Sequence, residues 1–330
     1  MNNQDSSDNN NQLESWERET LSKLAFAAVN EQRTARKWTF VYRGFIVIWL
    51  FSILVSIGSI ALSGGKASAR SESSEHTALI EIAGVISAAD EANADNIVGA
   101  LRKAFKNEKA KAVILRINSP GGSPVQAGYI NDEIIRLRNK YPEKKLYAVL
   151  VDICASGGYY IAAAADEIYA DKATLVGSIG VIMNGFGFTE TMNKLGVERR
   201  LITAGEHKGF LDPFSPVNKE EVTHTKQLLA SIHKQFIDVV RNGRGDRLAD
   251  DEKLFSGYIW TGEQGIELGL VDKLGSSSLV ARDVVGAEKI VDYTVKPNFV
   301  DRFAEKLGVS IGSVLSNSLG MESAQKVLLK

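Results

Sequence analysis

Apolar runs of five or six residues recur after residue 77, and each leads into a stretch with helical spacing. Ala78-Leu79-Ile80-Glu81-Ile82 precedes a helix expected from Glu91 to Phe105. Ala112-Val113-Ile114-Leu115-Arg116-Ile117 leads through Asn118-Ser119-Pro120-Gly121-Gly122 into helical periodicity from Val125 to Leu137. Leu146-Tyr147-Ala148-Val149-Leu150-Val151 leads into the alanine-rich segment Ile161 to Ala165, expected as a tightly packed helix. Runs apolar at nearly every position, rather than at alternate ones, suit strands buried on both faces of a parallel sheet. Strands and helices alternating in this way predict an α/β core rather than separate domains. Further strands are expected at Glu167 to Ala170, Val176 to Met183 and Arg199 to Ile202. A long helix from Glu220 to Val240 carries an apolar stripe through Val222, Leu228, Leu229, Ile232, Phe236, Val239 and Val240.

The flanks are patterned differently. Met1 to Asn11 is rich in Asn, Asp, Ser and Gln, a composition that predicts disorder, and Leu13 to Val29 has helical spacing. Gly44 to Leu62 runs nineteen residues without a charge, enough to span a bilayer. Arg33, Arg36, Lys37 and Arg43 precede it; Lys66 and Arg70 follow, with Glu72 and Glu75. That bias predicts a cytoplasmic segment 1–43, a single transmembrane helix 44–62 in the inner (plasma) membrane, and a periplasmic domain beyond. Ala67-Ser68-Ala69 resembles a signal-peptide cleavage site, but the long polar leader and long apolar core favour a retained anchor. Residues 63–76 read as a polar, Ser-rich linker and 77–296 as the α/β domain. The tail 297–330 is expected as an amphipathic helix or a partly disordered end.

Composition narrows the function. A chain of 330 residues with 44% hydrophobic content can bury one sizeable core plus appendages. A net charge of −1 argues against a nucleic-acid partner. One cysteine excludes an internal disulfide, and no Cys/His cluster or phosphate loop has the spacing of a metal or nucleotide site. No cofactor and no metal are expected.

Candidate chemistry sits on the two glycine turns. Ser156, followed by Gly157 and Gly158 at the start of a helix, has the setting of a nucleophile with free N–H groups beside it. A helix-capping serine with glycines for close packing is the alternative. Gly121 and Gly122 occupy the equivalent turn of the neighbouring unit and could present an N–H to the same point. Among the histidines, His76 lies at the edge of the domain, and His224 and His233 read as surface or partly packed helix residues. None offers an obvious partner for Ser156. Lys208, in a loop with Phe210, Leu211 and Phe214, could serve as base if desolvated enough to be neutral near pH 7; a solvated loop lysine is the competing reading.

Four motifs taken together resemble the bacterial signal peptide peptidase A family in its short, single-domain form. They are Asn118-Ser119-Pro120-Gly121-Gly122, Ala155-Ser156-Gly157-Gly158-Tyr159-Tyr160, Gly177-Ser178-Ile179-Gly180-Val181, and His207-Lys208 with the trailing Ser215-Pro216. Trp260-Thr261-Gly262 and Gly269-Leu270-Val271-Asp272 continue the likeness, which runs from about Ala78 to about Gly286. The resemblance implies an α/β Clp-protease/crotonase-like superhelix behind one transmembrane helix. It also implies a serine endopeptidase with a Ser-Lys dyad. Ser156 would be the nucleophile, Lys208 the general base and Ser178 the group that orients the lysine. N–H groups near Gly121, Gly122 and at Gly157 would form the oxyanion hole. Peptide substrates such as cleaved signal peptides are implied, as is a homo-oligomer, a ring of eight protomers whose neighbours complete each dyad. Cys154 would be a buried small residue without chemistry. Gly209-Phe210-Leu211-Asp212 departs from the acidic residue that follows the lysine in many relatives. The competing function classes are a catalytically silent membrane scaffold and a crotonase-like enzyme holding an acyl thioester. A crotonase needs neither Ser156 nor Lys208 at these positions, and an extracytoplasmic domain lacks coenzyme A.

Overall fold

The computed structural model describes residues 23, 37–38, 42–53, 55 and 74–295. The chain divides into two compact units, Met1–Ser71 and Glu72–Lys330. In the first, residues 42–53 and 55 are helical and exposed. Among the described residues no helix is long and apolar enough to cross a membrane, and most of the expected span beyond residue 53 lies outside them. The leader 1–11, nearly all of 13–29 and the tail 297–330 also lie outside the described residues.

The second unit is built on three long parallel strands, β1 (His76–Ala83), β2 (Ala110–Ser119) and β3 (Leu146–Ala155). β2 lies between the others, in register at Ala78↔Val113 and Val113↔Leu146. Four short strands extend the sheet: β4 (Glu167–Ala170), β5 (Leu175–Gly177), β6 (Ile259–Thr261) and β7 (Lys273–Leu274), and β8 (Ile290–Asp292) closes the far edge. The order is β6-β5-β3-β2-β1-β8, with β4 joining β3 and β7, and only β5–β6 is antiparallel. The linker expected over 63–76 is shorter at its end, because His76 is already in β1, fully buried and hydrogen-bonded through Nε2 to the Tyr293 hydroxyl at 3.0 Å.

Helices α1 (Ala94–Lys106), α2 (Pro124–Lys140) and α3 (Gly157–Ala162) pack on one face. Ile97, Leu101 and Phe105 of α1 meet Ile130, Ile134 and Leu137 of α2 over Ile80, Ile82, Leu115, Ile117 and Leu150. The alternate positions Leu79, Ile114, Tyr147 and Val149 enter a smaller cluster with Tyr169 and Val280 on the other face. Burial on both faces explains why the strands read as unbroken apolar runs. Each such side chain contributes roughly 1.5–3 kcal/mol. Capping sets the helix starts: Asn93 accepts from the Asn96 N–H at 2.9 Å, and Ser123 precedes Pro124, whose missing N–H costs nothing at a helix start.

Of the further expected strands, one is cut short and one is absent. β5 stops at Gly177 because Gly177 and Ser178 take φ of 104° and 52°, which leaves the extended region. Residues 199–202 form no strand, and Leu201 and Ile202 are exposed rather than paired into the sheet. After a short helix α4 (Thr189–Leu195), the chain reaches the long helix α5 (Lys219–Arg244), followed later by α6 (Gly262–Glu267). α5 meets the end of α3 so closely that a Cβ on Gly243 would sit 2.0 Å from the Ala163 carbonyl oxygen.

Candidate active site

β3 changes partners along its length. Its first half pairs with β4 at Tyr147–Val149, and its last residues pair with β5 at Ile153↔Leu175, Cys154↔Val176 and Ala155↔Gly177. The strand then turns sharply at Ser156, whose φ of 51° and ψ of −122° are rarely taken by a residue with a Cβ. Such a conformation costs about 1–3 kcal/mol and persists only where the surroundings hold it. Here the Ser156 N–H donates to the Gly177 carbonyl at 2.9 Å, and the Ser156 carbonyl accepts from the Tyr160 N–H at 2.9 Å. Ser156 makes no side-chain cap, so its hydroxyl is not spent on the helix.

The second glycine turn lies directly against it. A Cβ on Gly121 would sit 2.7 Å from Ser156 Cβ and 2.8 Å from the Gly157 nitrogen, so only glycine permits this approach. The Gly121 N–H donates to Ser119 Oγ at 3.1 Å. Gly122 is held by its neighbours, since Ile86 donates to the Gly121 carbonyl and accepts from the Ser123 N–H. The N–H groups of Gly122 and Gly157 find no acceptor among the described residues. Both residues line a cavity of about 170 Å³ with Ser156. The remaining wall is largely apolar: Tyr160, Val181, Ile182, Ile232 and Phe236, with Gln235 as a polar member. A serine that shares an apolar cavity with two free N–H groups is suited to attack on a carbonyl and to holding the resulting oxyanion.

The other expected residues fall in different settings. Ser178 follows Gly177 in the turn after β5, half-buried, with its N–H on the Tyr258 carbonyl at 2.7 Å. Lys208 lies on an exposed loop, its N–H donating to Gly205 at 3.2 Å, and it does not line the Ser156 cavity. No histidine lines that cavity either. His207 lies 3.8 Å from Glu221, and His224 stands edge-on to Phe210. His233, read from sequence as a helix residue without a task, sits 3.2 Å from the Ile179 carbonyl, one residue after Ser178. Helical periodicity could place it on α5 but not against that turn. Cys154 is fully buried, and burial pushes its thiol pKa up, which suits a packing residue.

Behind the Ser156 turn lies a buried ion pair that the sequence did not announce. Tyr159 is fully buried and donates its hydroxyl to the Leu270 carbonyl at 2.8 Å. Arg244, 1% exposed, donates twice to Asp272 at 2.8 Å and once to the Gly269 carbonyl at 2.8 Å. Burial works to raise the Asp272 carboxyl, but Arg244, the Ile168 N–H and Arg247 together hold it below its ordinary value. Among the described residues no group of His, Cys, Asp and Glu could hold a metal ion.

Residues 138–290, from the end of α2 to the start of β8, match the model of peptidase family S49. Over 218 residues, 66% of this chain, it is 44% identical to a Brucella abortus protein named Na(+)/H(+) antiporter NhaA. That match takes in 29% of the Brucella protein, and the antiporter name belongs to that protein. A putative signal peptide peptidase SppA of Enterococcus faecium is 32% identical over 203 residues, 62% of this chain and 58% of the relative. A putative protease of Methanocaldococcus jannaschii is 32% identical over 225 residues, 66% of this chain and 71% of the relative. The chain thus spans less than two thirds of the Brucella and Enterococcus proteins. With the family model on residues 138–290 and a likeness that takes in 71% of a putative protease, the chain belongs to peptidase family S49, the signal peptide peptidase A family.

Proposed function

We propose that this protein is a membrane-anchored serine endopeptidase that hydrolyses short hydrophobic peptides, such as cleaved signal peptides, with a Ser156–Lys208 dyad. The observation that carries the reading is the left-handed Ser156 turn, with its uncapped hydroxyl beside the free N–H groups of Gly122 and Gly157 in an apolar cavity. Ser156 Oγ attacks the scissile carbonyl and passes its proton to a neutral Lys208 Nζ, which Ser178 orients. The oxyanion accepts from Gly122 and Gly157. The lysine then returns the proton to the leaving amine, and water hydrolyses the acyl-enzyme in the same way.

A base of this kind must be desolvated to be neutral near pH 7, whereas Lys208 is exposed in a single chain. We therefore include assembly in the proposal. Eight copies form a ring in which one subunit's Lys208 loop covers a neighbour's Ser156 turn, burying Leu211 and Phe214 and desolvating the amine. The anchor over 44–62 places this ring on the periplasmic side of the inner membrane, beside its substrates.

The test uses the full-length protein in detergent micelles. A fluorophosphonate probe is expected to label Ser156, with labelling abolished in Ser156→Ala and hydrolysis of a signal-peptide segment lost in parallel. A folded wild type that neither reacts nor hydrolyses would return the protein to the scaffold reading.

A further inference from the structure

His233 occupies an informative position on α5. Its neighbours Ile232, Gln235 and Phe236 line the Ser156 cavity, while its own Nε2 lies 3.2 Å from the Ile179 carbonyl oxygen. A carbonyl only accepts, so Nε2 carries the proton and donates. The acceptor belongs to the turn in greatest need of support. Gly177 and Ser178 both have positive φ, and Ser178 bears a Cβ that disfavours it. Ser156 is strained in the same sense, and its N–H is bonded to the Gly177 carbonyl. Two strained serines are thus joined through one peptide group.

Residues 177–180 are held mainly by the segment leading into β6. Tyr258 accepts from the Ser178 N–H, the Trp260 indole lies within 3.0 Å of where a Gly177 Cβ would be, and Gly180 closes on Gly257. Among the described residues, His233 supplies the single side-chain hydrogen bond to residues 177–180, and it does so from the helix that walls the cavity. We infer that His233 is a positioning residue, fixing the Ile179 carbonyl and through it Ser178 and the Gly177 carbonyl that holds Ser156. This inference rests on the reading of Ser156 as nucleophile. Truncating His233 leaves the cavity wall in place, so substrate binding survives while the alignment of the reacting groups does not.

The experiment compares His233→Leu, which removes the donor, with His233→Gln, which keeps an N–H donor, in the full-length protein. His233→Leu should lower kcat about tenfold with KM within about twofold, and slow fluorophosphonate labelling of Ser156 by a similar factor. His233→Gln should stay within about threefold of wild type in both. Wild-type kcat and labelling in a folded His233→Leu, or equal losses in the two variants, would overturn the inference. If His233→Leu fails to fold, the glutamine variant decides: near wild-type kcat upholds the donor role, and a tenfold loss rejects it. Failure of the wild type to label at Ser156 would instead overturn the peptidase reading on which this one stands.

Discussion

The Ser156 turn and the Lys208 segment are built to different degrees by one chain. Around Ser156, the residues Cys154, Ala155, Gly157, Gly158 and Tyr159 are buried, and β2, β5 and the Gly121–Gly122 turn press against them. Between residues 181 and 218 no apolar side chain is buried: Phe186 is 82% exposed and Ile202 is 94% exposed. α5 repeats the contrast, since Phe236, Val240 and Arg244 near its C-terminal end are buried whereas its first turns are mostly not. Monomeric proteins seldom expose large contiguous apolar patches, so a segment with this many exposed apolar side chains is a candidate for cover. The comparison teaches that the Ser156 turn is fully packed within the fold, whereas the Lys208 segment is not, and on the proposed reading a neighbouring subunit completes it.

The largest effects should come from separating the two halves. Ser156→Ala and Lys208→Ala are each expected to lower peptide hydrolysis at least about a thousandfold without unfolding the protein. Mixed under conditions of subunit exchange, the two inactive variants should recover part of the activity, because some interfaces then pair a wild-type serine with a wild-type lysine. Ile202→Asp should disperse the proposed ring in sedimentation and reduce turnover while leaving the melting temperature of the domain nearly unchanged. Full activity in a proven monomer would break the comparison at its root.

Glycines sharpen it next. Gly121→Ala would drive a Cβ to 2.7 Å from Ser156 Cβ and 2.8 Å from the Gly157 nitrogen, at a φ of 103°. Neither contact can swing away, so about 2 kcal/mol of stability and about a hundredfold in kcat should be lost. Gly185→Ala, with nothing within 4 Å of the added carbon in a single chain, should change neither the melting of the isolated subunit nor its expression. Equal tolerance at both positions, measured by thermal melting, would contradict the difference in packing.

The same contrast marks how much could be read in advance. β1 to β3, α1 and α2 were legible because two-sided burial writes continuous apolar runs and helical periodicity into the sequence, and the glycine turns were legible from Pro120-Gly121-Gly122 and Ser156-Gly157-Gly158. The segment after Gly177 was not. Val176 to Met183 has the composition of a strand, but positive φ at Gly177 and Ser178 ends β5, a backbone choice imposed by Tyr258 and Trp260 more than eighty residues away. Leu201 and Ile202 read as a strand because they are branched and apolar, yet no strand among the described residues pairs with them. The Arg244–Asp272 pair and the task of His233 depend on contacts between distant elements, which periodicity does not encode.

That ion pair supplies a prediction about the rigid half alone. Asp272→Ala leaves Arg244 buried without its anion and the Ile168 N–H without its 2.7 Å acceptor, and should cost about 3–5 kcal/mol. Acid should act on the same residues. Asp272 has its folded-state pKa lowered by Arg244 against the effect of burial, and Glu133 is lowered from 4.5 to about 2 mainly by the Arg136 hydrogen bond. Their stabilisation is present above the unfolded-state values and lost as pH falls through the folded ones, which for Glu133 spans 4.5 to about 2. Melting temperatures should decline through that window, and Asp272→Ala should show a shallower decline. An unchanged slope would remove Asp272 from the acid response.

The smallest effect is expected two residues before Ser156. Cys154 lies near Gly158, where an added Cβ would lie 3.7 Å from its Sγ, and the thiol is wholly buried in the main core, on a strand end paired with β2 and β5. A thiolate is the reactive form, and burial in apolar surroundings opposes it, as the raised pKa here reflects. Cys154→Ala should therefore retain kcat/KM within about twofold and lose about 1 kcal/mol for the vacated sulfur. In the native protein a thiol reagent such as iodoacetamide should react only as fast as the domain opens, and should do so without competition from substrate. Rapid inactivation that substrate prevents and Cys154→Ala abolishes would put the thiol in the chemistry and undo the assignment of the turn to Ser156.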